Sequence, residues 1–122
     1  MTDLSAQEYY ERGLARYKAD DIDGALADLN EAIRVGPDFA EAYVARGTVR
    51  GDSPAAIDDF SAAIRLNPYY VQAYYNRGLA RSAAGDYAGA IDDFTKVLQM
   101  NPDHPQWRNL RLDIAEWRKQ LE

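Results

Sequence analysis

VQAYYNRGLARSAAGDYAGAIDDFTKVLQMNPDH, residues Val71 to His104, decides the fold, because the chain spells it three times. Gly13, Gly47 and Gly78 stand in one local frame, written RGLAR, RGTVR and RGLAR. Ala25, Ala56 and Ala90 recur with them, and so do Pro37, Pro68 and Pro102. The glycines are 34 and then 31 residues apart, the prolines 31 and then 34. A period in this range marks a stack of supersecondary units, each of which needs its neighbours to bury its apolar face.

Within each copy, apolar and small residues at helical spacing give way to a short polar break and then to a second such segment. The third copy predicts helices from about Val71 to Ala84 and from Tyr87 to Met100, broken at Gly85-Asp86 and stopped by Asn101-Pro102. In the first copy Ser5 and Glu8 suit a capping box, Asp20-Asp21 replace the glycine turn, and Gly36-Pro37 ends the second helix. The middle copy loses three residues just after Arg50, where RGTVRGDSPAAIDDF meets RGLARSAAGDYAGAIDDF. Gly51 then ends its first helix, Asp52 or Ser53 caps the next, and Pro54 fits the first helical turn, where a missing N–H costs nothing.

The recurring Gly/Ala pairs let the two helices of a hairpin approach closely. A mid-helix glycine costs roughly 0.5–1 kcal/mol against alanine, so its recurrence implies a packing reason. Around that contact stand Leu26, Leu29, Ala32 and Ile33, then Ile57, Phe60, Ala63 and Ile64, then Ile91, Phe94, Val97 and Leu98, the expected core. After Pro102, Trp107, Leu110, Ile114, Trp117 and Leu121 fall on one face with charged residues opposite, as a terminal cover for a stack requires. The organisation expected is an all-α solenoid of three helix-turn-helix repeats with a seventh, capping helix. Its segments are an N-terminal tail and cap over 1–5, repeats over 6–39, 40–70 and 71–104, and the capping helix over 105–122. A monomer is expected; the three-and-four spacing also fits a coiled-coil seam, so a homodimer through the Trp107/Trp117 helix is the alternative.

Composition narrows the function. At 122 residues and 47% hydrophobic content, the chain suffices for one domain with a substantial core. A formal charge of -6 argues against a nucleic-acid partner, whose binding draws on clustered Lys and Arg. With no cysteine and a single histidine, His104, no disulfide framework, thiolate metal site or histidine cluster can form. The opening MTDLSAQEYYERG has neither a basic start nor an apolar run, and no stretch nears the roughly 18 apolar residues of a membrane span, so a cytoplasmic protein without membrane insertion is expected. Asp58-Asp59 and Asp92-Asp93 are paired carboxylates, but neighbours on a helix point about 100° apart and share no site. Glycine-rich phosphate loops and nucleophile elbows are absent too. No catalytic residue, metal site or cofactor is assigned, and the chain reads as a non-enzyme.

One charged pattern repeats in every copy. Arginines fill two frame positions, as Arg12 and Arg16, Arg46 and Arg50, Arg77 and Arg81, and Asp28, Asp59 and Asp93 recur opposite them. In an antiparallel hairpin the middles of the two helices face each other, which brings each aspartate within reach of its arginines, whose planar fork holds a carboxylate with two bonds. Recurrence in every copy favours a structural ladder over a receptor for an acidic ligand.

These residues resemble the tetratricopeptide repeat family over about residues 5 to 104. The third copy has Tyr74, Gly78, Tyr87, Ala90, Phe94 and Pro102 in the family's order. The first has Tyr9, Gly13, Ile22, Ala25, Leu29 and Pro37, and the second Tyr43, Gly47, Ser53, Ala56, Phe60 and Pro68. The short middle repeat and the arginine before each glycine depart from the pattern. The resemblance implies a right-handed superhelix whose first helices line a concave groove for a segment of another protein. It also implies the role of adaptor or scaffold. The family's groove positions fall on Gln7, Tyr10, Leu14, Tyr17 and Lys18, then Glu41, Val44 and Thr48, then Gln72, Tyr75, Leu79, Ser82 and Ala83. The peptide-binding groove is accordingly assigned to Gln7, Tyr10, Leu14, Tyr17, Val44, Thr48, Gln72, Tyr75 and Leu79. The lysine, asparagine and arginine clamp by which some members grip a chaperone's terminal carboxylate is missing. Tyr10, Leu14, Ala45 or Thr48, Gln72 and Asn76 occupy its positions. The function expected is a non-enzymatic adaptor holding a partner's peptide, with self-assembly through the terminal helices as the alternative.

Overall fold

Ser5 opens the first helix by a reciprocal cap. Its Oγ accepts from the Glu8 N–H at 3.1 Å, and Glu8 Oε1 accepts from the Ser5 N–H at 3.0 Å, satisfying two amides that a helix start leaves without partners. In the computed structural model, which describes residues 3–122, α1 is Ala6–Lys18, α2 Ile22–Val35, α3 Ala40–Arg50, α4 Pro54–Leu66, α5 Val71–Ala83 and α6 Tyr87–Met100. A 3-10 turn, Pro105–Trp107, precedes α7, Leu110–Gln120. Met1 and Thr2 of the expected N-terminal tail lie outside the described residues. Among the described residues every regular element is helical, and none is long and apolar enough to cross a membrane.

The second helix of each hairpin starts on a side-chain cap. Asp21, Ser53 and Asp86 accept from the N–H groups of Gly24, Ala56 and Gly89 at 3.0, 3.2 and 2.9 Å. The turns before them need one residue in the left-handed region, filled by Gly85 at φ 82° in the third hairpin and by Asp20 at φ 63° in the first. In the middle hairpin Gly51 takes this role at φ 77°, and α3 stops at 11 residues where α1 and α5 have 13.

α1 packs on α2, α3 on α4 and α5 on α6, each hairpin lies against the next, and α1 also reaches α3. The close approach falls at the glycines. A Cβ at Gly47 would stand 2.6 Å from Phe60 Cε1, and one at Gly78 would press on the Phe94 ring. Ala56, Phe60, Ala63, Ala73 and Val44 form one core cluster between the second and third hairpins, with Tyr70 packed on it. Phe94, Val97, Tyr74, Trp107, Leu110 and Ile114 form another beneath the end of the stack.

The single capping helix expected over 105–122 is divided. Pro105 lacks an N–H, and His104 before it is extended at ψ 131°, so the chain turns through Pro105–Trp107 before α7 begins. This bend drops the Trp107 ring onto Tyr75, centroids 4.6 Å apart, and leaves Trp107 only 4% exposed. Trp117 tilts against Phe94 at 4.8 Å. Both tryptophans pack on the chain's own third hairpin. Leu121, expected on the same buried face, lies past the end of α7 and is 54% exposed.

Candidate functional site

Three carboxylates lie deep between the helices of their hairpins. Asp28, Asp59 and Asp93 are each 2% exposed, a position tolerable for a charge only when it is fully partnered. Arg12 gives Asp28 a two-bond fork, Nε to Oδ2 at 2.9 Å and Nη2 to Oδ1 at 2.8 Å, and Arg16 Nη1 adds a third bond at 2.9 Å. Arg77 and Arg81 hold Asp93 in the same way at 2.7 to 3.0 Å. Arg46 and Arg50 hold Asp59, with closest approaches of 2.7 and 2.9 Å. Bonds from Arg12, with the charges of Arg12 and Arg16, keep the Asp28 carboxyl below its ordinary value of 3.8 despite burial. Asp58 and Asp92, the sequence neighbours of Asp59 and Asp93, are exposed, so neither carboxylate pair shares a site.

Two parts of this ladder escaped the sequence reading. Each fork lies over the aromatic ring one turn before it, Arg12 over Tyr9, Arg46 over Tyr43 and Arg77 over Tyr74, at 5.5 to 5.7 Å. Two forks also reach the preceding hairpin: Arg46 Nη1 donates to Asn30 Oδ1 at 2.9 Å and Arg77 Nη1 to Ser61 Oγ at 3.1 Å. The signal was available, since tyrosine precedes the first arginine by three residues in every copy and a polar residue precedes Arg46 and Arg77 by 16.

With its charges paired, the ladder belongs to the scaffold, and the free side chains are on the outward face of α1, α3 and α5. Gln7 and Thr48 are exposed there, and Tyr17 and Leu79 are 37% and 41% exposed. Leu14 and Gln72 are half-buried, and Gln72 Nε2 donates to Asn76 Oδ1 at 2.9 Å. The assigned groove residues do not all stay free. Val44 is 8% exposed and belongs to the core. Tyr75 stacks on Phe94 at 5.5 Å and is covered by Trp107. Tyr10 is half-buried, its ring 4.9 Å from Phe39, the residue that enters α3. Phe39 does for Tyr10 what Trp107 does for Tyr75: the entry of the next element covers this position of the first helix.

Two clefts open on this face. One, of about 160 Å³, is lined by Thr48, Gly51, Asp52, Phe60, Asn76 and Leu79, at the place where α3 ends early. The other, of about 370 Å³, is lined by Ala6, Gln7, Gly36, Asp38, Phe39 and Glu41. Near the second, burial and then the Glu41 charge raise the Tyr10 hydroxyl, and the same two causes with Tyr10 push Tyr70 up to about 12. Both phenols therefore remain protonated beside the carboxylate.

Sequence profiles of a repeat family match the chain twice, one described as tetratricopeptide repeat over residues 71–104 and one as TPR repeat over residues 48–84. The chain is a tetratricopeptide repeat protein. Solved structures share its fold. The first TPR of Spaghetti (RPAP3), bound to an HSP90 peptide SRMEEVD, superposes with a TM-score of 0.85 at 23% identity, covering 96% of this chain and 93% of that one. The Arabidopsis OM64 TPR domain does so with 0.84 at 25% identity, covering 95% and 96%. The yeast Sti1 TPR2B domain in complex with pHsp70 gives 0.79 at 23% identity, covering 94% and 97%. No curated protein sequence matches the chain. Tetratricopeptide repeats are protein-interaction modules, and that coarse function holds for this chain.

Proposed function

We propose that this tetratricopeptide repeat protein is a non-enzymatic adaptor that holds a segment of a partner protein across the outward face of α1, α3 and α5. One observation carries the reading. Every buried charge among the described residues is paired inside the ladder, while Tyr17 on α1 and Leu79 on α5 stay more than a third exposed, with Tyr10 and Leu14 half-buried along α1. Structural neighbours captured with HSP90 and Hsp70 peptides support the mode of binding. The ligand chemistry differs, because Tyr10, Leu14, Thr48, Gln72 and Asn76 supply no cation for a terminal carboxylate.

Affinity capture from a lysate of the parent organism, with the intact chain beside a Tyr10→Ala/Leu79→Ala variant, tests the proposal. A partner identified by mass spectrometry on the intact chain and lost from the variant is the expected result. Equal retention by both moves the site to another surface.

A further inference from the structure

The free charges at the Gln7 end of the groove have one sign. Glu41 and Asp38 line the cleft of about 370 Å³, and neither carboxylate has an ion-pair partner among the described residues. Among the described residues no cation lines that cleft. Lys18, the basic residue among the groove positions, stands about 16 Å along α1 from Gln7. The second cleft repeats the sign, with Asp52 its one charged lining residue. These carboxylates contrast with Asp28, Asp59 and Asp93, whose charges are answered within the hairpins.

The surroundings of Glu41 are aromatic. Phe39 lines the same cleft as Glu41, its ring leans on that of Tyr10 at 48°, and burial and then the Glu41 charge raise the hydroxyls of both Tyr10 and Tyr70. A carboxylate at this spot would meet like charge with no basic side chain to offset it. A lysine or arginine would find ionised acceptors for its head, and ring faces for its methylene stem. We propose that this end of the groove seats a basic side chain of the partner peptide, its cationic head on Glu41 and Asp38 and its stem against Tyr10 and Phe39. The inference rests on the groove reading above and gives it a ligand chemistry: a segment bearing a lysine or arginine among apolar residues.

Selection from a library of random short peptides displayed on phage tests this directly. The intact chain should enrich sequences with Lys or Arg at one fixed register among apolar residues. A synthetic representative should bind about tenfold more weakly to Glu41→Gln, lose affinity as salt is added, and bind Asp58→Asn, which removes an exposed charge on α4, as tightly as the unaltered chain. Enriched peptides without basic residues, or affinity unchanged by Glu41→Gln, would overturn the basic-residue assignment. The groove itself would survive that outcome if Tyr10→Ala or Leu79→Ala still abolished binding. Failure of the folded chain to enrich any peptide would overturn both.

Discussion

Arg46 reaches out of its own hairpin to donate from Nη1 to Asn30 Oδ1 at 2.9 Å in the hairpin before it. Its Nη2 meanwhile holds Asp59 at 2.7 Å, so one planar fork ties a buried carboxylate, the Tyr43 ring and the neighbouring repeat together. Lysine, a compact point charge without a planar fork, cannot make all three contacts at once. Arg12 has no such cross-hairpin partner among the described residues, and its side chain is 47% exposed against 18% for Arg46. Arg46→Lys should therefore lower stability by about 1–2 kcal/mol, and Arg12→Lys by less than about 1 kcal/mol. Urea unfolding of the two variants checks the order, and equal losses would mean that the bridge to Asn30 contributes nothing.

Asp28 links the ladder to pH. Its carboxyl is held below 3.8 by the Arg12 bonds and the two arginine charges, so the unfolded chain takes up a proton there before the folded chain does. The stability it supplies is complete above the ordinary value and is lost as pH falls below it, through the lower folded value. Asp28→Asn should melt lower than the unaltered chain near neutral pH, by a margin that stays constant down to about pH 5 and then narrows with further acidification. Melting curves across the acid range test this. A margin unaffected by acid would show that Asp28 is not held low.

Local chemistry made the hairpins legible. Ser5 with Glu8, Pro54 after Ser53, and Gly85 before Asp86 each set a helix end through groups adjacent in sequence, and the structure places the ends within a residue or two of where these signals fall. The recurrence of Asp28, Asp59 and Asp93 opposite paired arginines was legible for the same reason, as a repeat reports its own frame. What eluded the sequence depends on which element lies over which. Val44 and Tyr75 sit at groove positions by count, yet the entering residues of the next element, among them Trp107, decide how much of each is left to solvent. The bend that delivers Trp107 breaks a spacing that reads as one continuous helix. Tyr10 lies on α1, Glu41 on α3 and Tyr70 at the entry to α5, so their relation depends on how the hairpins stack.

The glycines differ in how much room they guard. At Gly78 an added methyl would run into the Phe94 ring, which is fully buried and cannot yield. At Gly13 the nearest atoms are Leu29 Cγ at 3.1 Å and Asp28 Cβ at 3.3 Å, contacts that a small shift relieves. Gly78→Ala should destabilise by about 1–3 kcal/mol through overpacking. Gly13→Ala should be close to neutral, because the strain is offset by the roughly 0.5–1 kcal/mol that alanine gains over glycine in a helix. Denaturant midpoints for both variants decide it, and a neutral Gly78→Ala would show that the hairpin opens more readily than its packing implies.

Asp20 and Asp21 are neighbours with opposite consequences. Asp20 occupies the left-handed position at φ 63° that Gly85 fills in the third hairpin at φ 82°, while the Asp21 N–H closes the helix end on Arg16 O at 2.8 Å. An L-residue is held in that region at a cost glycine escapes. Asp20→Gly should therefore stabilise by about 0.5–1 kcal/mol, the relief of strain exceeding the greater freedom of the unfolded chain. Asp21 instead caps α2 by accepting from the Gly24 N–H at 3.0 Å, and Asp21→Ala should cost about 1 kcal/mol. Gly85→Asp, which installs the first hairpin's residue in the third, should lower stability by about as much as Asp20→Gly raises it. Thermal melts of the three variants at one pH test the assignment. A loss of stability in Asp20→Gly would mean that the aspartate side chain supports the turn, and the left-handed residue would then be a contributor to the hairpin instead of a strain within it.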